Sequence, residues 1–282
     1  MDPVPAVSDV NALGNVAVKQ GARPAAKARE HRDVFLATEF SLWADRVGLE
    51  PGESFLVDRY FHPDGRTVEA GSGGGRILLE LQLLGFRDLH GFDYLPEFVS
   101  AARQRDPSGT IEYRVENAMA LDYADGSFDQ AIYLQQILCF LPTVEERRRA
   151  VREAFRILRP GGVLIASFLS FRTRLQSRFY KLARGYLATL RTLTGRSLDR
   201  QCWPWLRRRD KIYLGALFDR GPHMYWIRDE EAAELFESAG FQVLGIGTDT
   251  QVAAGALADS VASLARLPVR GRLYLACRKP EQ

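Results

Sequence analysis

The chain has 282 residues, 46% hydrophobic and 26% charged, a composition that indicates a globular protein and excludes a disordered or fibrous one. Its apolar runs are too short to cross a bilayer, and the N-terminal residues lack the basic start and apolar core of a signal peptide. Three widely separated cysteines match no metal-ligand spacing. We therefore expect free thiols in the cytoplasm and no metal site.

The predicted elements alternate between strands and helices along most of the chain. Residues 1–28 show neither period and are expected to form a flexible arm. Two helices follow, at residues 31–48 and 51–61. The runs that predict strands are residues 67–70, 88–94, 110–116, 128–135, 163–169, 241–248 and 272–279. Helical periods fill most of the gaps between these runs, so the sequence predicts an α/β fold with a mostly parallel sheet covered on both faces.

One segment interrupts this alternation and divides the predicted domain. We expect a core made of residues 29–170 and 226–282, with cap helices at its N-terminal end, and an insertion at 171–225 after the fifth strand. Between Phe171 and Lys211 the insertion carries twelve lysines or arginines against two aspartates, although the whole chain has a net charge of only +3. This local excess of positive charge predicts a function of its own.

The loop after the first strand is unusually rich in glycine. It reads "VEAGSGGGR", with Glu69 two residues before Gly71. In an open parallel sheet, ligands bind at the carboxyl ends of the strands, where this loop lies. Glycines there allow positive φ and a close approach of the backbone to a ligand. The dinucleotide pattern G-x-G-x-x-G fails, because Arg76 occupies its third glycine position.

The second strand ends in an acidic residue, Asp93, twenty-two residues after Gly71. A carboxylate at that position can bind the diol of a ribose. Glu69 can accept a hydrogen bond from a cationic amino group. A ligand with a ribose and a cationic amino acid end, but no pyrophosphate, fits these residues better than NAD does.

These residues resemble the class I S-adenosylmethionine-dependent methyltransferases, over about residues 53–279 apart from the insertion. "VEAGSGGGR" is similar to the first motif of the family, "GFDYLPEFVSAAR" to the second, and "ENAMALDYADGSFDQAIYLQQIL" to the third and fourth. The resemblance implies a Rossmann-like seven-stranded sheet, S-adenosylmethionine as cofactor, and a helical lid formed by the insertion. The cofactor-binding residues that it implies are Glu69, Gly71, Ser72, Gly73, Gly75, Asp93, Tyr94, Asn117, Ala118 and Gln135.

The acceptor side of the site is less well defined by the sequence. By resemblance, Gln136, His223 and Trp226 would face the substrate. A neutral alcohol or phenol needs a general base, and many relatives have a histidine after the fourth strand, where this chain reads "QILCFLP". His223 is the first candidate for this base and Tyr225 the second. An amine or an ionised carboxylate as nucleophile would need none.

Three function classes remain open. The first is methyl transfer to an oxygen or nitrogen of a small molecule, such as a secondary metabolite, a sugar derivative or a lipid-linked compound. The second is a nucleic-acid or protein methyltransferase that binds its substrate through the basic insertion, and the third is a non-catalytic cofactor-binding module. We expect the first, with an anionic or amphipathic acceptor, no nucleic acid, and peripheral membrane contact through the insertion as an option. The sequence leaves the acceptor atom and the oligomeric state open.

Overall fold

The structure, a computed structural model, describes residues 44–205, 207–208, 211–221 and 223–281. The strands are β1 Thr67–Ala70, β2 Leu89–Asp93, β3 Glu112–Val115, β4 Phe128–Tyr133, β5 Leu158–Phe168, β6 Cys202–Pro204, β7 Arg207–Arg208, β8 Lys211–Ile212, β9 His223–Tyr225, β10 Gln242–Thr248 and β11 Leu273–Arg278. The helices are α1 Pro51–Tyr60, α2 Arg76–Leu83, α3 Pro96–Arg105, α4 Val144–Ile157, α5 Phe171–Arg174, α6 Arg178–Thr194, α7 Asp229–Glu237, α8 Asp249–Ala253 and α9 Val261–Ala265. Two 3₁₀-helices span Ile137–Phe140 and Leu214–Phe218. The predicted arm at 1–28 and most of the first predicted helix lie outside the described residues.

Seven strands form one sheet in the order β10-β11-β5-β4-β1-β2-β3. Every neighbouring pair is parallel except those of β11, which runs antiparallel to both β5 and β10. The predicted Rossmann-like, mostly parallel seven-stranded sheet is therefore confirmed. The strand order reverses between β1 and β4, although the two strands are parallel. The carboxyl ends of β1, β2 and β4 therefore meet at the edge where such folds bind ligands.

The sheet is buried on both faces, as expected for parallel strands covered by helices. In β4, Ala131 and Tyr133 belong to one core and Ile132 to the other. Helix α4 covers the first core with buried residues that include Ala150 and Ala154. Thr143 caps the N-terminus of this helix, and its side-chain oxygen accepts the Glu146 N–H at 3.1 Å in a capping box.

Strand β5 begins earlier than predicted. The sequence "RPGG" predicts a turn between α4 and the strand, but the strand already starts at Leu158. The register with β4 shifts inside this stretch, from Phe128 opposite Leu158 to Gln130 opposite Val163. The predicted turn is therefore present as an irregularity within the strand, with Gly161 at φ +79°.

The insertion helix differs from its prediction in two ways. A single helix from Phe171 is predicted, but the chain breaks it at Ser177 into α5 and α6. Apolar residues recur at helical spacing from Phe171 to Leu193 and predict an amphipathic helix with a basic polar face, yet Leu182 is 76% and Leu193 80% exposed. Instead Leu187 is buried against Phe171 and Trp203, and Arg191 is buried because it reaches polar partners inside the insertion. No helix in the described ranges is long and apolar enough to span a membrane.

Candidate active site

The glycine loop fits tightly between two neighbours at the carboxyl edge of the sheet. Gly71 and Gly75 have φ of +63° and +78°. A Cβ on Gly75 would lie 2.3 Å from the Tyr113 hydroxyl oxygen, and a Cβ on Gly71 would lie 2.7 Å from the side chain of Ile137. Both the backbone conformation and the space therefore require glycine here.

Asp93 ties this loop to the end of β2. One carboxylate oxygen accepts the Gly73 N–H at 3.1 Å and the other accepts the Leu95 N–H at 3.0 Å. Burial raises the pKa of Asp93 to about 6, although these backbone donors oppose the shift. The carboxylate is only 6% exposed, so it is poised to take a hydrogen-bonding partner from the ligand side.

Beneath the loop lies a buried ion pair that the sequence did not reveal. Both terminal nitrogens of Arg76 contact Glu53 of α1 at 2.7 Å, and the two residues are 4% and 1% exposed. The Gln135 side-chain amide also donates to Glu53. Arg76 thus fills the position of the missing third glycine with a guanidinium that holds α1 against the loop.

Glu69 lies in the same buried group and has no partner for one of its oxygens among the described residues. Burial raises its pKa well above the ordinary value, and the nearby Arg76 opposes this while Glu53 and Asp93 add to it. Glu53 and Glu69 thus share one guanidinium, and Asp93 lies close enough to Glu69 to raise its pKa further. This imbalance leaves the site with a demand for positive charge.

The end of β4 adopts an unusual backbone. Gln135 and Gln136 both have a φ of +59°, which is costly for residues other than glycine. The N–H and the side-chain amide of Gln136 lie 3.3 and 3.2 Å from the Ser167 hydroxyl. Consecutive left-handed residues turn the chain sharply above the glycine loop, and such strain is concentrated at functional sites.

The remaining predicted cofactor contacts border this group on its outer side. Tyr94 follows Asp93 and is 53% exposed. Asn117 is exposed, and its side-chain oxygen accepts the Met119 N–H at 3.0 Å in a local turn, next to Ala118. The Ser72 hydroxyl is buried and lacks a partner within the described chain. The fold therefore brings the predicted cofactor residues to one edge, while their binding roles stay predictions.

The two candidate bases lie in different surroundings. His223 is 9% exposed, and its Nε2 lies 3.1 Å from Asp219 Oδ1. Arg191 donates to both oxygens of that carboxylate at 2.9 and 2.8 Å. Burial alone would raise the pKa of Asp219, but the bonds from His223 and Arg191 hold it well below the usual range.

Tyr225 is part of a structural network. Its hydroxyl donates to Glu231 at 2.5 Å and accepts from the Gln201 amide at 2.6 Å. The Arg147 guanidinium lies 3.5 Å from the ring centroid. Burial and Glu231 raise the pKa of this hydroxyl, so the geometry disfavours Tyr225 as the base.

Trp226, the predicted substrate residue, packs in the insertion rather than over the glycine loop. Its ring centroid lies 4.0 Å from the Arg174 guanidinium, which also stacks on Tyr180 at 3.5 Å. Burial lowers the pKa of Arg174 to about 10. Strand β9 connects this cluster to the carboxyl edge of the sheet, because it packs against the 3₁₀-helix that follows Gln136.

Comparison with known proteins identifies a methyltransferase domain. Residues 68–166 match the family described as "Methyltransferase domain". Residues 68–166 therefore form a methyltransferase domain, consistent with the class I S-adenosylmethionine-dependent family. This confirms the predicted family and its cofactor.

Two sequence relatives and one solved structure resemble the chain at low sequence identity. A putative methyltransferase of Encephalitozoon cuniculi is 26% identical over 201 residues, which are 70% of this chain and 79% of that protein. An uncharacterised protein of Mycobacterium tuberculosis is 29% identical over 139 residues, 49% of each chain. The chain thus spans about half the length of the mycobacterial relatives that it matches. An S-adenosylmethionine-dependent methyltransferase of Methanosarcina mazei superposes with a TM-score of 0.62 at 20% identity, over 84% of this chain and 100% of that one, which shows a common fold.

The charges of the methyltransferase site fit its family's cofactor. S-adenosylmethionine carries a sulfonium and an ammonium group, and a ribose whose hydroxyls can donate hydrogen bonds. Among the described residues at the loop, the buried carboxyl groups of Glu53, Glu69 and Asp93 outnumber the buried cation Arg76, and one oxygen of Glu69 lacks a partner there. A cationic ligand would balance this excess, whereas an anionic pyrophosphate would not.

Sequence reasoning missed Glu53 and the insertion network of Arg191 and Asp219. Glu53 lies in a helix before the first strand, and its pairing spans 23 positions. Arg76 itself was the available signal, because a large cation in a position that needs close packing requires a buried partner. Asp219 offered no comparable signal in the sequence.

Proposed function

We propose that the protein transfers the methyl group of S-adenosylmethionine to an oxygen or nitrogen of a small acceptor molecule. The observation that supports this most is the group of three buried carboxyl groups at the glycine loop, beside one buried guanidinium. Such a group favours a ligand with excess positive charge. The small acceptor, a secondary metabolite, sugar derivative or lipid-linked compound, is the class expected from the sequence.

The proposed roles follow from the positions of the residues. Asp93 would bind the ribose hydroxyls, and Glu69 would accept from the ammonium group. Gln135, fixed by Glu53, and Gln136, fixed by Ser167, would close the site above the loop. The bound cofactor supplies an activated methyl group, so the task of the protein is to align a nucleophile with it and to exclude water.

His223 is the proposed general base for an acceptor that must lose a proton. The Nε2 atom of His223 is within hydrogen-bond distance of the Asp219 carboxylate. Nε2 therefore carries the proton, and Nδ1 keeps its lone pair. Nδ1 is buried and has no hydrogen-bond partner in the described part of the chain. An Asp–His pair of this kind fixes the imidazole in the form that accepts a proton.

Methyl transfer with isotope-labelled cofactor tests the proposal. The acceptors are a panel of small phenols, alcohols, amines and carboxylates, with and without a phosphate group. If a phenol or alcohol is methylated, His223→Gln should lower kcat by roughly 100-fold or more, because general-base catalysis contributes that much, and leave cofactor affinity unchanged. Tyr225→Phe is the matched control and should retain most of the activity. Equal losses in both variants would contradict the assignment of the base.

A macromolecular acceptor is the second candidate. The ribosomal protein L11 methyltransferase of Geobacillus thermodenitrificans is 26% identical to this chain over 136 residues, which are 43% of this chain and 41% of that protein. The excess of arginine in the insertion would attract the negative charge of such a macromolecule. Labelling of total RNA or ribosomal protein, with affinity that collapses as salt rises, would favour this candidate over the small acceptor.

A further inference from the structure

The insertion contains a cavity of about 350 Å³, away from the glycine loop. It lies between α6 and the segment that leads to β6. Four arginines line it, Arg184, Arg191, Arg196 and Arg200. Thr192 and Ser197 add hydroxyl groups, and Leu187 and Trp203 add apolar surface. Four guanidinium groups therefore border this space.

Among the described residues, the negative charge that these arginines contact is a single carboxylate. Arg191 is bonded to Asp219, and Arg196 lies 3.9 Å from the same carboxylate while it donates to the Asp219 carbonyl oxygen. Within the described ranges, the side chains of Arg184 and Arg200 have no hydrogen bond or ion pair. The cavity therefore keeps uncompensated positive charge.

The other wall supports an organic ligand. Trp203 is only 4% exposed, and its ring packs against Tyr180 with a centroid distance of 5.7 Å. Its indole N–H donates to the Arg200 carbonyl oxygen at 2.9 Å, which holds the backbone of Arg200 at the rim. Guanidinium groups bind phosphate oxygens through paired hydrogen bonds, and the aromatic wall can contact the attached carbon skeleton.

The cavity adjoins the proposed base. Arg191 lines the cavity and bonds to Asp219, which in turn contacts His223. We propose that this cavity binds the phosphate or diphosphate group of the methyl acceptor, an inference that rests on the proposed function. The anionic group of the acceptor would be held in the insertion, while its nucleophilic atom reaches towards His223.

A free phosphorylated molecule suits the cavity better than a lipid headgroup in a bilayer. Arg184 and Arg191 lie on one side of α6, and the exposed apolar residues Leu182, Tyr186 and Leu193 lie on the opposite side, since each residue advances about 100° around a helix. If the apolar side rested on a membrane, the arginines would face away from the lipid headgroups.

Calorimetric titration of the full chain with inorganic diphosphate tests the proposal. Arg184→Gln and Arg200→Gln each remove a guanidinium that lacks a partner among the described residues, so both variants should fold. Each should weaken diphosphate binding roughly tenfold, as expected for the loss of a charge-assisted hydrogen bond. Arg178→Gln is the matched control because Arg178 is exposed on the same helix, lies outside the cavity and changes the net charge equally. It should change the affinity less than about twofold.

Three results would overturn the assignment. The first is absence of diphosphate binding, and the second is an equal loss of affinity in Arg178→Gln. The third is binding to phosphatidylglycerol vesicles that is lost in Arg184→Gln, which would make the occupant a lipid headgroup. A parallel titration with S-adenosylmethionine separates the proposals: cofactor binding without diphosphate binding refutes only the cavity, and diphosphate binding without cofactor binding refutes methyl transfer.

Discussion

Replacing Asp93 with asparagine should stabilise the cofactor-free protein at high pH. Burial raises the pKa of Asp93 from its ordinary 3.8 to about 6, which corresponds to about 3 kcal/mol between its two protonation states. The pKa of Asp93 in the folded protein lies above its pKa in the unfolded chain. The stability that the protonated Asp93 contributes is therefore present below about pH 4, is lost as the pH rises to about 6, and stays lost above that. The asparagine side chain would avoid the buried charge, but it would give up one acceptor for the Gly73 or Leu95 N–H at a cost of about 1 kcal/mol.

The expected difference depends on pH. At about pH 8, the free energy of unfolding of Asp93→Asn should be about 2 kcal/mol higher than that of the wild type. At about pH 4.5, where the aspartate is already protonated in the folded protein, the two free energies should be about equal. Denaturant unfolding of both proteins at the two pH values, without cofactor, measures this difference. A stability change that is the same at both pH values, or a loss at the higher one, would refute the account of Asp93 as a buried, strained carboxylate kept for binding.

Two further substitutions test the packing that positions the site. Arg76→Met leaves Glu53 as an unpaired buried charge, so it should lower the free energy of unfolding by roughly 3–5 kcal/mol. A denaturant midpoint close to that of the wild type would contradict the buried ion pair. Leu187→Ala should cost about 2–3 kcal/mol because this side chain is buried, whereas Leu193→Ala, at an 80% exposed position on the same helix, should stay within about 0.5 kcal/mol. Equal losses in thermal unfolding would mean that α6 packs by its other face.

The framework of the fold could be predicted because local patterns determine it. Each sheet strand follows from a short apolar run, and the glycine loop and Asp93 follow from their spacing to those runs. Burial on both faces of a parallel sheet makes these runs long enough to recognise.

Features that depend on distant partners could not be predicted. Helix α6 has two candidate apolar faces, and the choice between them depends on Arg191 reaching Asp219, which lies 28 residues away. The left-handed conformations of Gln135 and Gln136 depend on contacts with Glu53 and Ser167, and neither glutamine is a residue that favours positive φ. Sequence periodicity carries no information about such pairs.

Calorimetric titration of the protein with S-adenosylmethionine and S-adenosylhomocysteine tests the central claim most directly. The excess of buried carboxyl groups over buried cations at the glycine loop predicts binding of both compounds, with S-adenosylmethionine, which carries the sulfonium, bound more tightly. Asp93→Asn should lose roughly tenfold or more in affinity, as expected when a charged hydrogen-bond acceptor is removed. Wild-type protein that fails to bind either compound, or an Asp93→Asn variant that binds them as the wild type does, would contradict the assignment of the glycine loop as the cofactor site.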